Sequence, residues 1–531
     1  MTMEDAPVTD ELTDIIVEYD EEFAATARLT HLPFRAMRAR RGDIEALASQ
    51  PGVKSITPDR KVSALHFPPW MLKEAIGYRF AAMTVPERPT QTGKGIGIAI
   101  IDSGVTSDDY LKSYSSGCTT SRVVYSENFV AGESTTGDVY GHGTHVAGIA
   151  AGDGRCLTGQ YIDFAGVAPE AQIINLRVLD SRGSGMDSAV IKAIDRAIQL
   201  KSKYAIKVIN LSLGRNIRES FTKDPLCLAV EKAWKAGITV VVAAGNNGRD
   251  NSMETQGYAS ITSPGNDPYV ITVGATRMVG HTGREDDTVT SYSSKGPSIL
   301  DQVVKPDIIA PGNIVYARMA PAAYLVQSYQ TNMVGVSMGM GPTINNVFLL
   351  SGTSMASPVV AGAAALLLQQ DSLTPDQIKA RLMKTAFKGL TSGATITDQT
   401  TQETFMVHHD LFTVGAGLLD LKAALASKDK SASKLRALSP RVVYVNGQVK
   451  LTTSYPTLGS TSLVWGTSLV WGTDVVWGTQ VLAQGSNTVL GNGIVWGTGN
   501  PAGFSLCWGT SLVWGTSSNP FDEALSIRGD R

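Results

Sequence analysis

From about residue 95 onward, short runs of β-branched residues alternate with segments of helical spacing, and this alternation restricts the fold more than any other feature. The apolar runs that predict strands cover residues 96–101, 173–179, 208–213, 240–244 and 270–273. Strands that alternate with helices in this way form a parallel sheet with helices on both faces. We therefore predict an α/β fold with a mainly parallel central sheet.

The segments between these runs carry apolar residues every three or four positions, which is the spacing of one helical face. The predicted helices cover residues 189–198, 226–234, 355–368 and 374–385. The whole alternating region spans residues 94–426 and is predicted to be one domain of a chain of 531 residues. A chain of this length has room for about three or four structural units.

Composition excludes several classes of protein. Apolar residues make up 43% of the chain and charged residues 18%, which is typical of a globular protein and not of a disordered polyelectrolyte. A formal net charge of −2 gives no support for a nucleic acid or an anionic membrane as the partner. The longest apolar run, at 359–368, is too short for a transmembrane segment, and the acidic residues 1–20 do not resemble a signal peptide.

The regions on either side of the α/β domain differ from it in pattern. Residues 1–66 predict a small α+β unit, with strands at 15–19 and 53–56 and a helix at 42–50. Residues 67–93 are rich in proline and predict a linker. Four cysteines, at positions 118, 156, 227 and 507, show no metal-ligand spacing, and the sequence leaves their pairing open.

The C-terminal part of the chain repeats the phrase Trp-Gly-Thr. A Lys/Ser-rich break predicts a linker at 427–460, the repeats occupy 461–516, and a tail covers 517–531. Six of the eight tryptophans lie in the repeats, and three of them recur every six residues, so that in an extended chain they share one face. We predict a short β-repeat region, either packed as a β-layer on the α/β domain or bound to a cell surface, a glycan or a second copy.

Three short phrases in the α/β domain carry the residue types of acyl-transfer chemistry, in the order Asp, His, Ser. Asp102 ends the first apolar strand, His142 begins an apolar helix, and Ser354 begins another. A serine hydroxyl needs a base such as imidazole to remove its proton, and a buried carboxylate fixes the imidazole tautomer. Asn246, at the end of another strand, is the candidate donor for the oxyanion, together with the backbone N–H of Ser354.

These phrases resemble the catalytic motifs of the subtilases, the subtilisin-like serine proteases, whose order of triad residues is also Asp–His–Ser. The resemblance covers about residues 90–425. It implies a three-layer subtilisin-like fold and a serine endopeptidase, a hydrolase of peptide bonds that works through an acyl-enzyme and needs no cofactor for catalysis. In that reading Asp102 orients His142, His142 is the base and then the acid, Ser354 attacks, and Asn246 stabilises the oxyanion.

The same resemblance implies a cleft that binds extended polypeptide substrates between two edge segments. One wall is the segment Ser212, Leu213 and Gly214, and the facing edge is Gly183, Ser184 and Gly185. The wall opposite Ser212 in the pocket for the residue before the scissile bond is Ala243, Ala244 and Gly245, and Gly257 is the candidate floor of that pocket.

The N-terminal unit resembles a subtilase propeptide, especially over residues 44–62. This implies a zymogen whose own propeptide blocks the cleft in cis until proteolysis between about residues 66 and 93 releases it. The family is mostly exported, which implies a secreted protein although residues 1–20 show no signal. Many subtilases carry structural Ca²⁺, for which Asp108 and Asp109 are candidates, but we assign no metal site.

Other features have plainer interpretations. His145 lies one helical turn from His142 and is predicted to pack as a second histidine, because no acidic third ligand follows for a metal. His408 and His409 are predicted to lie in a loop. The insertion at 313–350 is compatible with either a rim of the substrate cleft or an ordinary surface insertion.

Two other functions are compatible with parts of the pattern. One is a catalytically inactive adhesion or scaffold protein that keeps the protease fold and binds through its C-terminal repeats; the intact triad and Asn246 argue against it. The other is a sedolisin-type acid peptidase, which uses a Glu base and an acidic oxyanion residue. His142 and Asn246 stand in those two roles here and predict a neutral-to-alkaline pH optimum.

Overall fold

The structure is a computed structural model with all side chains. It describes residues 12–20, 23–24, 31–64, 91–158, 165–252, 254–278, 284, 286–337, 343–398, 402–430, 436–445, 448–452, 454–455 and 460–461. The predicted linker at 67–93 therefore falls almost entirely outside the described residues, as do the Trp-Gly-Thr repeats and the tail. Within the described residues, no helix is long and apolar enough to cross a membrane.

The strands are numbered in chain order. They are β1 (Leu12–Tyr19), β2 (Phe34–Arg40), β3 (Val53–Pro58), β4 (Lys61–Ala64), β5 (Gly97–Asp102), β6 (Val123–Asn128), β7 (Gln172–Arg177), β8 (Ser184–Met186), β9 (Ile206–Leu211), β10 (Leu213–Gly214), β11 (Thr239–Ala243) and β12 (Ile271–Arg277). The later strands are β13 (Thr288–Val289), β14 (Ile308–Pro311), β15 (Val315–Arg318), β16 (Met333–Ser337), β17 (Thr343–Leu350), β18 (Gly393–Thr397), β19 (Thr404–His408), β20 (Arg441–Val445), β21 (Gln448–Thr452), β22 (Ser454–Tyr455) and β23 (Ser460–Thr461).

The helices are numbered in the same way. They are α1 (Arg41–Ala48), α2 (His142–Ala151), α3 (Arg155–Thr158), α4 (Asp187–Leu200), α5 (Pro225–Lys235), α6 (Tyr324–Ser328), α7 (Thr353–Gln370), α8 (Pro375–Thr385), α9 (Leu411–Val414) and α10 (Leu421–Ala426). Short 3₁₀ turns lie at Asp109–Leu111, Tyr114–Ser116 and Gln330–Asn332.

The central sheet has the order β13-β12-β11-β9-β5-β7-β6, with β14 also paired to β12. Every pairing in it is parallel except that of β12 with β13. The five predicted apolar runs coincide with β5, β7, β9, β11 and β12. In β5, the residues from Ile98 to Ile101 are completely buried. The α/β prediction is therefore confirmed.

The chain changes direction across this sheet at β5. It moves from β5 to β6 and β7 on one side, and then through α4 and α5 to β9 and β11 on the other. Helix α2 packs against α7, and helix α4 packs against α5. A ligand crevice forms where the direction reverses, outside the carboxyl ends of the strands. Asp102 ends β5, and Ser212 follows β9, the strand paired with β5.

The N-terminal unit is a three-stranded antiparallel sheet with the order β2-β1-β3, and helix α1 packs on it. Its own small core contains Ile15, Val17 and Tyr19. Strand β2 was not predicted from the sequence. Phe34–Arg40 mixes apolar residues with arginines and has few β-branched side chains, and the strand is half-exposed, so its pattern is weak. The α+β character agrees with the prediction, whereas its role as a propeptide stays a prediction.

Strand β4 leaves this unit and lies between β8 and β10 as the central strand of a separate three-stranded sheet. Both pairings are antiparallel: Lys61, Val62 and Ser63 face β8, and Ser63 and Ala64 face β10. Since β8 and β10 are the two segments predicted to bind substrate, a piece of the chain itself occupies the predicted substrate position.

The insertion at 313–350 forms the antiparallel sheet β15-β17-β16, and β15 packs against α2, the helix that carries His142. Helix α6 contacts the residues just before α2. The N–H groups of Tyr324 and Leu325 donate to the carbonyl oxygens of Val139 and Tyr140 at 2.8 and 3.1 Å. The insertion therefore supports the loop before His142. The Gly/Met phrase at 338–341 lies outside the described residues.

Part of the predicted linker at 427–460 belongs to the folded α/β unit. Ser439 is completely buried, donates to Asp307 at 2.5 Å and accepts from the Lys379 ammonium at 2.9 Å. Strand β20 then pairs with β21 in a hairpin. The Lys/Ser-rich composition predicted a break, but a few buried residues after it are enough to fix the segment.

The loop predicted for His408 and His409 is wrong for His408, which ends β19. His409 lies in the segment between β19 and α9 and is completely buried, with Nε2 accepting from Val289 N at 3.1 Å and Nδ1 contacting the carbonyl oxygen of Thr391 at 2.8 Å. The cysteine pairing that the sequence left open is Cys118 with Cys156, and Cys227 is a buried free thiol.

Candidate active site

The carboxylate of Asp102 and the imidazole of His142 are in direct contact. Asp102 is the last residue of β5 and His142 the first residue of α2, and both side chains are completely buried. Nδ1 of His142 lies 2.7 Å from Oδ1 of Asp102, which also accepts from the N–H of Ser103 at 2.7 Å. A carboxylate in this position holds the Nδ1–H tautomer, which leaves Nε2 as the basic nitrogen.

Gly143 allows this approach of helix α2 to the strand. A Cβ atom built on Gly143 lies 2.2 Å from the carbonyl oxygen of Gly104 and 3.1 Å from Cβ of Asp102. No larger residue fits between the helix and the turn after β5 without a shift of backbone. The glycine of the His-Gly-Thr phrase is therefore a packing requirement of the Asp102–His142 contact.

Asp138 ties the same two elements together and was missed by the sequence interpretation. Its buried carboxylate accepts from the N–H groups of Gly141 and Thr144 at 2.6 and 2.7 Å and from the hydroxyl of Ser103 at 2.8 Å. Burial raises its pKa above the usual value, while these hydrogen bonds act in the opposite direction. An Asp a few residues before an apolar helix is a helix N-terminus signal, and this signal points to Asp138.

Ser354 is the second residue of α7, and its position depends on Ser212. The hydroxyl of Ser354 donates to the carbonyl oxygen of Ser212 at 2.9 Å, and the hydroxyl of Ser212 donates to the carbonyl oxygen of Ser354 at 2.9 Å. Pro358 lies one turn inside the helix, and its missing N–H leaves the carbonyl of Ser354 without the usual helical donor. The hydroxyl of Ser212 supplies this donor.

Asn246 is oriented by the residue before Ser354. Its Oδ1 accepts from the N–H of Thr353 at 2.9 Å and from the hydroxyl of Thr353 at 3.0 Å. With the carbonyl end of the amide held in this way, the NH₂ end is the group that is left to donate to an oxyanion. Thr353 is a second residue that the sequence interpretation missed, although it lies inside the Ser phrase.

The two segments predicted to bind substrate lie on either side of β4. Ser184 and Gly185 lie in β8, and Leu213 and Gly214 form β10, with β4 between them. Gly183 turns into β8 with a φ of +74°, where a Cβ atom falls 2.5 Å from the ring of Tyr140. These two edges can therefore bind an extended peptide by strand addition.

The opposite wall is anchored to the same helix N-terminus. Ala243 ends β11, Ala244 follows it, and the N–H of Gly245 donates to the hydroxyl of Thr353 at 3.1 Å. Gly257 packs on Gly248 so closely that a Cβ atom built on it falls 1.8 Å from the carbonyl oxygen of Gly248. The role of Gly257 as the pocket floor stays a prediction.

The two residues suggested for calcium do not fit a calcium site. The carboxylate of Asp108 pairs with Arg318 at 2.7 Å and caps the N–H of Tyr110, and that of Asp109 pairs with Lys112 at 2.7 Å. Both carboxylates are thus neutralised by cations. The described residues hold no group of three or more His, Cys, Asp or Glu side chains that suits a metal ion, and a structural calcium ion stays a prediction without assigned residues.

His145 is the packed second histidine that the sequence predicts. It is completely buried, and its Nε2 lies 3.0 Å from the carbonyl oxygen of Phe348 and 3.2 Å from that of Val315. Burial lowers its pKa to about 3. The neutral imidazole donates to two carbonyl oxygens and so joins α2 to the inserted sheet.

A buried carboxylate on an imidazole, a serine at a helix N-terminus and an oriented amide beside it, on the edge of a parallel sheet, define the class of serine endopeptidases. The chain belongs to the subtilase family, because the model of that family matches residues 93–417, more than half of its length.

Individual relatives agree with this family. The chain is 36% identical over 333 residues to the serine protease AprX of Bacillus subtilis (strain 168). The aligned region covers 62% of this chain and 68% of that protein. It is 36% identical over 296 residues to subtilisin DY of Bacillus licheniformis, with 55% and 84% covered. It is 33% identical over 296 residues to thermitase of Thermoactinomyces vulgaris, with 56% and 82% covered.

Proposed function

We propose that the chain is the precursor of a secreted serine endopeptidase and that its N-terminal unit blocks the active site in cis. The observation that carries this proposal is the position of strand β4, which fills the cleft between β8 and β10 in antiparallel register on both sides. An extended substrate would use the same backbone groups. The segment therefore competes with substrate for the cleft until it is cut.

The proposed reaction uses the residues described above. His142 takes the proton of the Ser354 hydroxyl, for which this hydroxyl has to exchange its bond to Ser212 O for one to Nε2 of His142. Ser354 then attacks the peptide carbonyl, and the NH₂ of Asn246 donates to the oxyanion. Asp102 stabilises the imidazolium that forms, and His142 returns the proton to the leaving amine.

Contacts outside the cleft support the inhibitory role of the N-terminal unit. The carboxylate of Asp59 accepts from the N–H of Ser188 at 2.8 Å and also from its hydroxyl, so that it caps the first turn of α4. The N–H of His31 donates to Asp195, also on α4, at 2.9 Å. The bond from Ser188 N–H satisfies a helix N–H group that has no partner within the helix, and the bond from His31 ties the N-terminal unit to the same helix.

A secreted location is part of the proposal. The Cys118–Cys156 disulfide supports it, because such bonds persist in oxidising compartments and are rare in the cytosol. The Trp-Gly-Thr repeats are proposed as the part that attaches the enzyme to a cell surface or to another copy. Retention of the full chain, but not of a chain that ends at Lys434, on cell envelopes would support that attachment.

The activity is tested with purified full-length protein and two serine variants. We expect the wild type to hydrolyse casein, to react with a fluorophosphonate probe and to shorten itself from 56.3 kDa. Ser354→Ala should lose all three properties, whereas Ser252→Ala, which changes an exposed serine, should keep them. If wild type and Ser354→Ala label and cleave alike, the proposal is wrong; if neither labels, the inactive-scaffold alternative gains support.

A further inference from the structure

The residue directly before β4 is basic, and its partner in the α/β unit has no part in the proposed catalysis. The guanidinium of Arg60 forms an ion pair with the carboxylate of Glu219, on the segment that follows β10. The two side chains are only 22% and 19% exposed. A pair this far removed from water discriminates between charged and neutral partners better than an exposed pair does.

The backbone of Arg60 is held in the same way as the substrate-like strand that follows it. Its carbonyl oxygen accepts from the N–H of Asp187 at 2.7 Å, directly before the pairs of Lys61 with Met186 and of Val62 with Gly185. The ladder between the cleft edge and the occupying segment therefore extends to Arg60. A peptide bound in the same register would present its corresponding side chain to Glu219.

The segment that carries Glu219 is fixed at both ends. On one side the buried Arg215 bridges Asp187 at 2.9 Å and Asp224 at 2.7 Å. On the other side the carboxylate of Asp301 accepts from the hydroxyl of Ser220 at 2.6 Å and from the N–H of Phe221 at 2.8 Å. Because these bonds lie within the α/β unit, Glu219 is positioned whether or not β4 is present.

We propose that Glu219 is a specificity residue that selects a basic side chain in the substrate, at the position corresponding to Arg60, two residues before the one corresponding to Val62. The substrate class is then an extended polypeptide with Arg or Lys at that position and an apolar residue two positions later. Val62 is buried between the cleft edges. Lys61, the residue between Arg60 and Val62 in the chain, is exposed, and the substrate side chain at its position is not expected to affect cleavage. The inference rests on the proposed protease function and on β4 as a guide to substrate register.

The test uses internally quenched peptides that copy residues 57–70 of the chain, each with at most one substitution, at Arg60 or at Lys61. The enzyme is produced as the full-length chain and is used after it has cleaved itself. The Arg60→Gln peptide should be cleaved with a kcat/KM about three- to tenfold below that of the parent peptide, and the Arg60→Glu peptide lower still. The control is the Lys61→Gln peptide, which should match the parent.

Enzyme variants separate a direct contact from a structural effect. Glu219→Gln should lose the preference for the parent over the Arg60→Gln peptide while it cleaves the latter as well as the wild type does, and Glu219→Arg should prefer the Arg60→Glu peptide. The matched control Asp109→Asn removes an exposed carboxylate, 59% exposed, on a turn outside the cleft and should leave all preferences unchanged.

The outcomes distinguish this inference from the proposed function. Cleavage of the parent, Arg60→Gln and Arg60→Glu peptides at equal rates by the wild type would overturn the inference and leave the protease assignment intact. An equal loss on all peptides in Glu219→Gln would also overturn it, because Glu219 would then be structural. Failure of the wild type to cleave any peptide or casein would overturn the protease assignment itself.

Discussion

Ser212 and Ser354 exchange hydrogen bonds: each hydroxyl donates to the carbonyl oxygen of the other residue, at 2.9 Å in both directions. One bond replaces the helical donor that Pro358 cannot supply, and the other fixes the side chain proposed as the nucleophile. The residue predicted to form one wall of the cleft is thus also the residue that holds the Ser354 hydroxyl. In the proposed enzyme, substrate binding and placement of the nucleophile depend on one segment.

Replacement of Ser212 by alanine tests this coupling. Ser212→Ala keeps the carbonyl that holds the Ser354 hydroxyl but leaves the carbonyl of Ser354 without its donor. One lost hydrogen bond of this kind costs about 1 kcal/mol, so we expect kcat to fall about fivefold with little change in KM. The control is Ser357→Ala, which removes the other hydroxyl that contacts Ser212, at 2.8 Å. A change in KM alone would contradict the interpretation.

The oxyanion role of Asn246 predicts a larger effect. Asn246→Ala should lower kcat by about 10²–10³, the loss that follows from the removal of one oxyanion donor in a serine peptidase. Thr353→Val removes one of the two bonds that orient the amide, at 3.0 Å, and should lower kcat by about tenfold.

The two substitutions should not add. Because Thr353 acts on the oxyanion through Asn246, the double variant should be as slow as Asn246→Ala alone, within about twofold. The measurement is kcat on one peptide substrate for the four proteins. Fully multiplicative losses would show that the Thr353 hydroxyl acts by another route.

The register of β4 predicts where self-processing begins. Ala64 faces Leu213, and in an antiparallel pair each step forward along β4 is one step back along the other wall. One step back from Leu213 is Ser212, whose carbonyl holds the Ser354 hydroxyl. We therefore expect the first bond cut to follow residue 65 or 66, at the start of the interval 66–93. N-terminal sequencing of the mature enzyme checks this, and a first cut beyond residue 70 would contradict it.

The sequence allowed the fold to be predicted where local pattern and long-range packing agree. Buried strands such as β5 and β9 are short segments rich in β-branched residues, which is the pattern of a buried strand. The contact of Asp102 with His142 followed from motif order and sheet edges. Strand β2 and hairpin β20–β21 were missed because half-exposed strands carry a weak pattern.

Residues that act through other residues were harder to predict. Asp138, Thr353 and Glu219 carry no chemistry of their own in the proposed reaction, and their roles depend on contacts between distant segments. The bond of Asp138 to Ser103, for example, joins residues 35 positions apart. The cysteine pairing was open for the same reason, because spacing alone does not bring position 118 to position 156.

The disulfide predicts a contribution to stability. It closes a loop with a sequence separation of 38, which stabilises the folded state by about 4 kcal/mol through the entropy of the unfolded chain. In the Ser354→Ala background, which prevents self-digestion, the Cys118→Ser/Cys156→Ser variant should lose this amount in urea unfolding. Reductant should destabilise the parent by the same amount and the double variant not at all. Equal sensitivity of both proteins to reductant would contradict the assignment.

Burial of His145 predicts a pH-dependent term in stability. Its pKa in the folded protein is lowered to about 3, against an ordinary value of 6.5, because the buried imidazole is kept neutral. Between these values the unfolded chain binds a proton that the folded protein does not. Stability from this group is therefore complete above about pH 6.5 and declines as the pH falls towards 3, by about 2 kcal/mol at pH 5.

A glutamine variant isolates this term from other titrating groups. Buried Asp187 and Asp410 have pKa values raised to about 6, so their own contributions run in the opposite direction over part of the same range. His145→Gln keeps an N–H donor for the carbonyl oxygens of Phe348 and Val315 but cannot be protonated. In the Ser354→Ala background, the free energy of unfolding of the parent minus that of the variant should fall by about 2 kcal/mol from pH 7 to pH 5. Parallel pH profiles for the two proteins would show that His145 is not a buried neutral group.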